Sequence, residues 1–238
     1  MRLQPLFVSL ALAVPFALLP AAPLLAAPAA AARQADTAPV LVTAAQWQQM
    51  ASEGSRYPWF AKEQARTEAS LKKMMKAGID VPVPKDKGGG RTHEQHKRNY
   101  QALLAAGTLY RLTGDKAYVA YSRDMLLQYA QLYPTLGPHP EGRGQIPGRV
   151  FWQVLNDSVW LVNAIQGYDA IRDALSAQGR QTIESQLFRP MAEFLISEPK
   201  NYDQIHNHAT WAVAATGMTG YVLRDQELVG GNGLVEMG

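Results

Sequence analysis

The segment Asn201 to Trp211, N-Y-D-Q-I-H-N-H-A-T-W, carries amides, two imidazoles and an indole to the point where a small, apolar run (Ala212 to Ala215, Met218, Tyr221, Val222) opens a helix. Asn201 or Asp203 is the expected cap. Unpaired amides and the positive end of the helix dipole favour a carboxylate or phosphate at such a start. The same field disfavours a charged imidazole, so His208 in the first turn is biased towards the neutral form that accepts a proton. Asn207 and His208 are therefore candidate catalytic residues. From the residues alone, the alternative is that they only begin the helix.

Two further stretches share this character. Between residues 85 and 98, Lys85, Lys87, Arg91, Lys97 and Arg98 stand against Asp86 and Glu94, a local basic focus that suits an acidic ligand, or else an ordinary solvated loop. His93 and His96 follow at helical spacing, as do His96 and Tyr100; without a cysteine or a placed carboxylate, zinc is not expected there, and no cofactor is expected anywhere. In G-R-V-F-W-Q-V-L-N, residues 148–156, a helix would align Arg149, Gln153 and Asn156 on one face among aromatics, an arrangement that grips sugar acids. Phe151, Trp152 and Trp160 are equally natural core residues.

These residues need elements to hold them, and the periodicity is helical throughout, with no strand pattern. Helices are expected over 44–52, 59–75, from a Thr92 cap to 112, over 116–132, 149–174, 177–196 (kinked at Pro190) and from the 201–211 segment to 223. Long Pro- and Gly-rich loops precede the third, fifth and seventh helices, while Thr113-Gly114-Asp115 is a tight turn. That alternation places the three long loops at one end of a stack of antiparallel helical hairpins. The fold class is all-α, an (α/α) toroid or an irregular helical solenoid.

Composition sets the outer limits. The chain has 238 residues, 47% hydrophobic, with 23 basic against 20 acidic residues and no cysteine. Nothing in the bulk charge points to nucleic acid, and disulfides are excluded. Residues 1–32 have a basic start at Arg2, an apolar stretch from Leu6 to Leu19 and an Ala30-Ala31-Ala32 cleavage site, the pattern of a signal peptide for export to the periplasm or beyond. After cleavage no stable membrane insertion is expected. Residues 33–42 are expected to be a disordered lead-in, 43–228 the helical domain, and 229–238 a Gly-rich tail.

Taken together, V-P-V-P-K-D-K-G-G-G-R-T-H-E-Q-H-K-R-N-Y (81–100), G-R-V-F-W-Q-V-L-N (148–156) and N-H-A-T-W (207–211) resemble the oligoalginate lyases of polysaccharide lyase family seventeen, grouped with the heparinase II/III-like toroid lyases. The resemblance spans residues 45–225, in order. It implies cleavage of alginate, a uronic acid polymer, by β-elimination: the carboxylate is neutralised, the C5 proton removed and the glycosidic oxygen protonated. It puts Asn207 and His208 on the carboxylate, with His208 a possible base for one uronate epimer. From the placement of the three loops, Arg149, Gln153, Asn156, Trp211, His96 and Lys97 are the expected substrate contacts.

The family places its catalytic tyrosine, and a β-sheet domain, after the Asn-His motif, where this chain ends in G-G-N-G-L-V-E-M-G. Fewer helices are present than a closed ring needs. A truncated toroid is therefore expected, with impaired activity and with apolar surface exposed on the 149–174 and 201–223 helices, unless Tyr100, Tyr202 or Tyr221 replaces the missing group. Two other readings use the same residues: a non-catalytic periplasmic module that binds an acidic glycan, and a lyase acting on another uronate polymer.

Overall fold

The computed structural model describes residues 37–144, 146–198 and 205–230. The signal peptide, the first part of the lead-in, the cap candidates Asn201 and Asp203, Tyr202 and the tail from 231 lie outside the described residues. Among those described there is no strand, and the chain is all-α.

The elements are α1 (Ala44–Glu53), α2 (Pro58–Ala77), α3 (Arg91–Thr113), α4 (Lys116–Leu132), α5 (Val154–Ile171), α6 (Ala177–Ile183), α7 (Arg189–Ile196), α8 (Asn207–Leu223) and a short α9 (Gln226–Gly230). Local chemistry sets most of their ends. Thr43 forms a capping box with Gln46 at α1. Gly114, at φ 75°, closes α3, and the Asp115 carboxylate accepts the Ala117 N–H to open α4. Between α6 and α7 the single helix expected over 177–196 is broken by a π-segment, Glu184–Phe188. Pro190 cannot donate an amide to the preceding turn, and Arg189 donates instead to the Glu184 carbonyl five residues back.

α5 is the centre of the molecule, with α3 along one side and α8 along another, and the hairpin partner α4 packed on α3. Trp160, Leu161, Ala164, Ile165, Tyr168 and Ile171 of α5 are all fully buried. The expected apolar exposure of this helix is therefore absent: its neighbours within the chain already cover it. α8 does expose Trp211 and Tyr221, with Met218 half-buried between them. α3 and α5 touch backbone to backbone: a Cβ on Gly167 would lie 2.4 Å from the Leu103 carbonyl oxygen, and one on Gly107 would lie 2.5 Å from that of Gly167. Gly167→Ala should consequently cost about 1–3 kcal/mol through overpacking, read as a lowered midpoint in urea.

Contacts at the helix ends fix their directions. Arg111, near the end of α3, pairs with Asp173 just past α5 at 2.8 Å. The Asp169 carboxylate, late in α5, accepts the Val40 and Leu41 N–H groups at 2.9–3.1 Å, and Arg224, just past α8, reaches the Ala38 carbonyl. Residues 37–42 are thus held against the end of α5, which corrects the expected disorder for that part of the lead-in. The C-terminal ends of α3, α5 and α8 therefore share one end of the domain, so their starts share the other.

Candidate functional site

The loop before α3 is folded onto the helix start. The Asp86 carboxylate accepts both the Thr92 N–H and its hydroxyl at 2.8 Å, while the Lys85 and Asp86 amides donate to Thr92 Oγ1. These bonds to the charged form hold the Asp86 carboxyl below its usual range. Gly90, not Thr92, is the N-cap; Thr92 lies one position inside the helix and lends its side chain to the loop. The basic focus is smaller than its sequence implies. Arg91 pairs with Asp80 at 3.1 Å, Lys97 with Glu94 at 3.1 Å, and Lys87 approaches Glu141 at 3.9 Å.

His96 is not at the mouth. It is fully buried, with Nδ1 2.7 Å from the Tyr129 hydroxyl, which in turn accepts from Asn99 Nδ2. Burial pushes its pKa down to about 4. The reading of His96 as a substrate contact is corrected accordingly: α4 supplies the tyrosine that covers it. His93 is nearly as buried, edge-on to Phe151 at 4.9 Å, and His139 is buried nearby; burial lowers both. Lys97 remains half-exposed on the first turns of α3.

The second loop differs most from expectation. Residues 149–153 are not helical, and α5 starts at Val154 with Gln153 as its N-cap. Arg149, Gln153 and Asn156 therefore do not form the i, i+4, i+7 row of one helix. The cause is Asp157, a fully buried carboxylate that accepts the amides of Arg149 (2.7 Å), Val150 (3.4 Å) and Phe151 (2.8 Å) and so wraps the chain back over the helix start. Burial pushes Asp157 up to about 7, against the pull of those three amides. Arg149 is half-buried, its guanidinium over the rings of Tyr133 (5.5 Å) and Phe194 (4.7 Å). Those rings hold the cation by its π-facing contacts. Gln153 and Asn156 are half-buried at the start of α5.

At the third loop, His206 is the N-cap of α8: its Nδ1 accepts the Ala209 N–H at 3.2 Å, so in the neutral ring Nε2 carries the proton. Asn207 is the first residue of α8 and exposed, His208 the second and half-buried. The His206 and His208 rings meet edge-to-face at 5.1 Å. Partial burial, and then the neighbouring His206, lower the His208 pKa, which keeps it neutral near pH 7. Trp211 stands one turn further along, 38% exposed. A cap is worth about 1 kcal/mol. His206→Ala should therefore lower the thermal midpoint by several degrees, and His206→Asp, which caps through an oxygen, should restore it.

The first two loops meet in space, and the second reaches α7, the helix before the third. Gly88 lies against the Trp152 indole nitrogen, 3.6 Å from a Cβ built on the glycine; His93 and His96 face Phe151; and Arg149 lies on Phe194, near the end of the helix that precedes α8. Tyr221 falls fourteen positions after Asn207 on α8, about 21 Å along the axis, so it does not share a site with Asn207. Tyr202 lies outside the described residues. Tyr100 is half-buried about 13 Å along α3 from its start, its hydroxyl pKa raised by burial. Asp157, His139 and His206 are the residues sequence reasoning missed. An acidic residue inside the very apolar run 150–171 was the available signal for the first.

Among the described residues no group of three or more His, Asp or Glu side chains has the geometry to hold a metal ion, and no helix is long and apolar enough to cross a membrane. The fold and site define an all-α domain of helical hairpins with the starts of α3, α5 and α8 at one end. The sequence model of the alginate lyase family matches residues 32–230, and the chain belongs to that family. An alginate lyase of Stenotrophomonas maltophilia (strain K279a) is 93% identical over 229 residues, 96% of this chain and 31% of the relative. An exo-oligoalginate lyase of Saccharophagus degradans (strain 2-40) is 50% identical over 211 residues, 88% of this chain and 29% of the relative. The chain thus spans less than a third of the length of either relative.

Proposed function

We propose that the chain acts in the β-elimination of alginate or oligoalginate, as part of a lyase of polysaccharide lyase family seventeen with a heparinase-like (α/α) toroid. Both relatives are named for alginate or oligoalginate cleavage, and the family match runs through all three loops. The observation that carries the reading is at the start of α8, where an amide and a neutral imidazole occupy the first turn at the end shared with the starts of α3 and α5.

In this reading a uronate carboxylate sits at the α8 start. Asn207 and the helix field offset its charge, which makes the adjacent C5 proton removable. A base takes that proton; the electron pair forms the C4–C5 double bond as the C4–O bond breaks, and the departing oxygen takes a proton from an acid. Neutral His208 is suited to take the C5 proton where the epimer presents it. Arg149 grips a neighbouring carboxylate, Gln153 and Asn156 its hydroxyls, Trp211 a sugar face, and Lys97 a further acidic group. Tyr100 is the candidate proton donor within the described residues. Residues 1–32 are read as an export signal, which places the reaction in the periplasm or outside the cell.

The test is to mix purified protein with oligomannuronate and follow the absorbance of the unsaturated product. Product formation supports the lyase. Tight binding without product would instead favour a glycan-binding module.

A further inference from the structure

The buried carboxylate of Asp157 has no part in the chemistry above, yet it is the most heavily bonded side chain of the second loop. It sits in the first turn of α5, with no exposed surface, and accepts three successive main-chain amides from residues 149–151. Such a row of N–H groups normally closes on an external acceptor; here the acceptor is built in. Gly148 is part of the same device, since a Cβ there would lie 2.6 Å from Asp157 Oδ1. Two main-chain bonds brace the loop from outside: His139 N–H to the Gly148 carbonyl at 2.8 Å, and Val154 N–H to the Ile146 carbonyl at 2.9 Å.

The consequence reaches Arg149. Its backbone is the first that Asp157 holds, and from that position the guanidinium reaches across to Tyr133, at the end of α4, and Phe194, in α7. Had residues 149–153 continued α5 as helix, Arg149 would lie more than a turn below the helix start on the axis of α5, and Gln153 would be inside the helix. The carboxylate instead turns the chain, so that the guanidinium is carried by a bend anchored in the core. We infer that Asp157 is a positioning residue that sets Arg149 and Gln153 for an acidic glycan, so that substrate affinity depends on a carboxylate the substrate never touches.

This rests on the proposed glycan reading, and two readouts separate the failure of one from the failure of the other. The first needs no ligand. In the unsubstituted protein the Arg149 and Phe151 amides should exchange with deuterium as slowly as those inside α5; in Asp157→Asn, which reverses one acceptor to a donor, they should exchange at loop rates while the α5 interior stays protected. Fast exchange of these amides in the unsubstituted protein would overturn the inference even if the variant fails to fold.

The second readout is affinity for oligomannuronate by calorimetry. Asp157→Asn should weaken it about tenfold, and combined with Arg149→Ala it should add little to the loss from Arg149→Ala alone. Full, independent addition of the two losses would show that Asp157 does not act through Arg149, and unchanged affinity in a folded Asp157→Asn protein would show that it serves stability only; either overturns the inference. Absence of binding by the unsubstituted protein would count against the glycan reading, leaving the exchange result to decide whether Asp157 holds the loop.

Discussion

Replacing His208 with alanine should reduce the rate of unsaturated-product formation about 10²–10⁴-fold, the usual contribution of a positioned proton-transfer group. Asn207→Ala should cost about 10²–10³-fold through the lost stabilisation of the carboxylate as charge develops on it. The pH profile carries the same information. Burial and the neighbouring His206 lower the His208 pKa from 6.5, so its base form predominates at neutral pH and is lost on the acid side of that value. The acid limb of the rate profile should therefore lie below pH 6.5 and belong to His208. An acid limb unchanged in position by His206→Ala would remove the imidazole pair from the account. Equal activity of the His208→Ala and unsubstituted proteins would sink the assignment of His208 altogether.

The domain was legible where local chemistry decides structure. α4 falls on the residues read from sequence because Gly114 and Asp115 end one helix and start the next without outside help. The meeting of the first two loops was also legible, since loop length in a helical hairpin stack dictates it. What escaped was set by distant partners. Residues 149–153 have the composition of a helix, but three of their amides go to a buried carboxylate instead. His96 has a spacing that suits a surface row, but Tyr129 on another helix closes over it. At α8 the cap is a histidine, a residue type that capping preference ranks below the asparagine and aspartate upstream. In each case the deciding atom belongs to tertiary structure or to a less favoured residue type, and no periodicity reports it.

The buried imidazoles should make the protein acid-sensitive, and the sign follows from their environment. In the unfolded chain His96 takes a proton near pH 6.5; in the folded protein burial holds it down to about 4. Between those values the unfolded state binds the extra proton, so stability present above about pH 6.5 is lost as pH falls towards 4. For His96 alone the loss is on the order of 3 kcal/mol. His93 and His139 are shifted in the same direction by burial and add to it; Glu94 on the same helix, and Glu141 and Asp86 beside His139, partly offset it. Asp157 works in reverse. Its pKa is raised from 3.8 to about 7, so across that window the folded state binds the extra proton and gains stability on acidification. Urea unfolding at a series of pH values separates the two. His96→Gln, which keeps a hydrogen-bonding group against Tyr129 but does not titrate, should flatten the loss of stability between pH 6.5 and 4, whereas Asp157→Asn should steepen it. If His96→Gln leaves the slope unchanged, the imidazole is not held neutral by burial, and the α3–α4 contact must admit water or a counter-charge to His96.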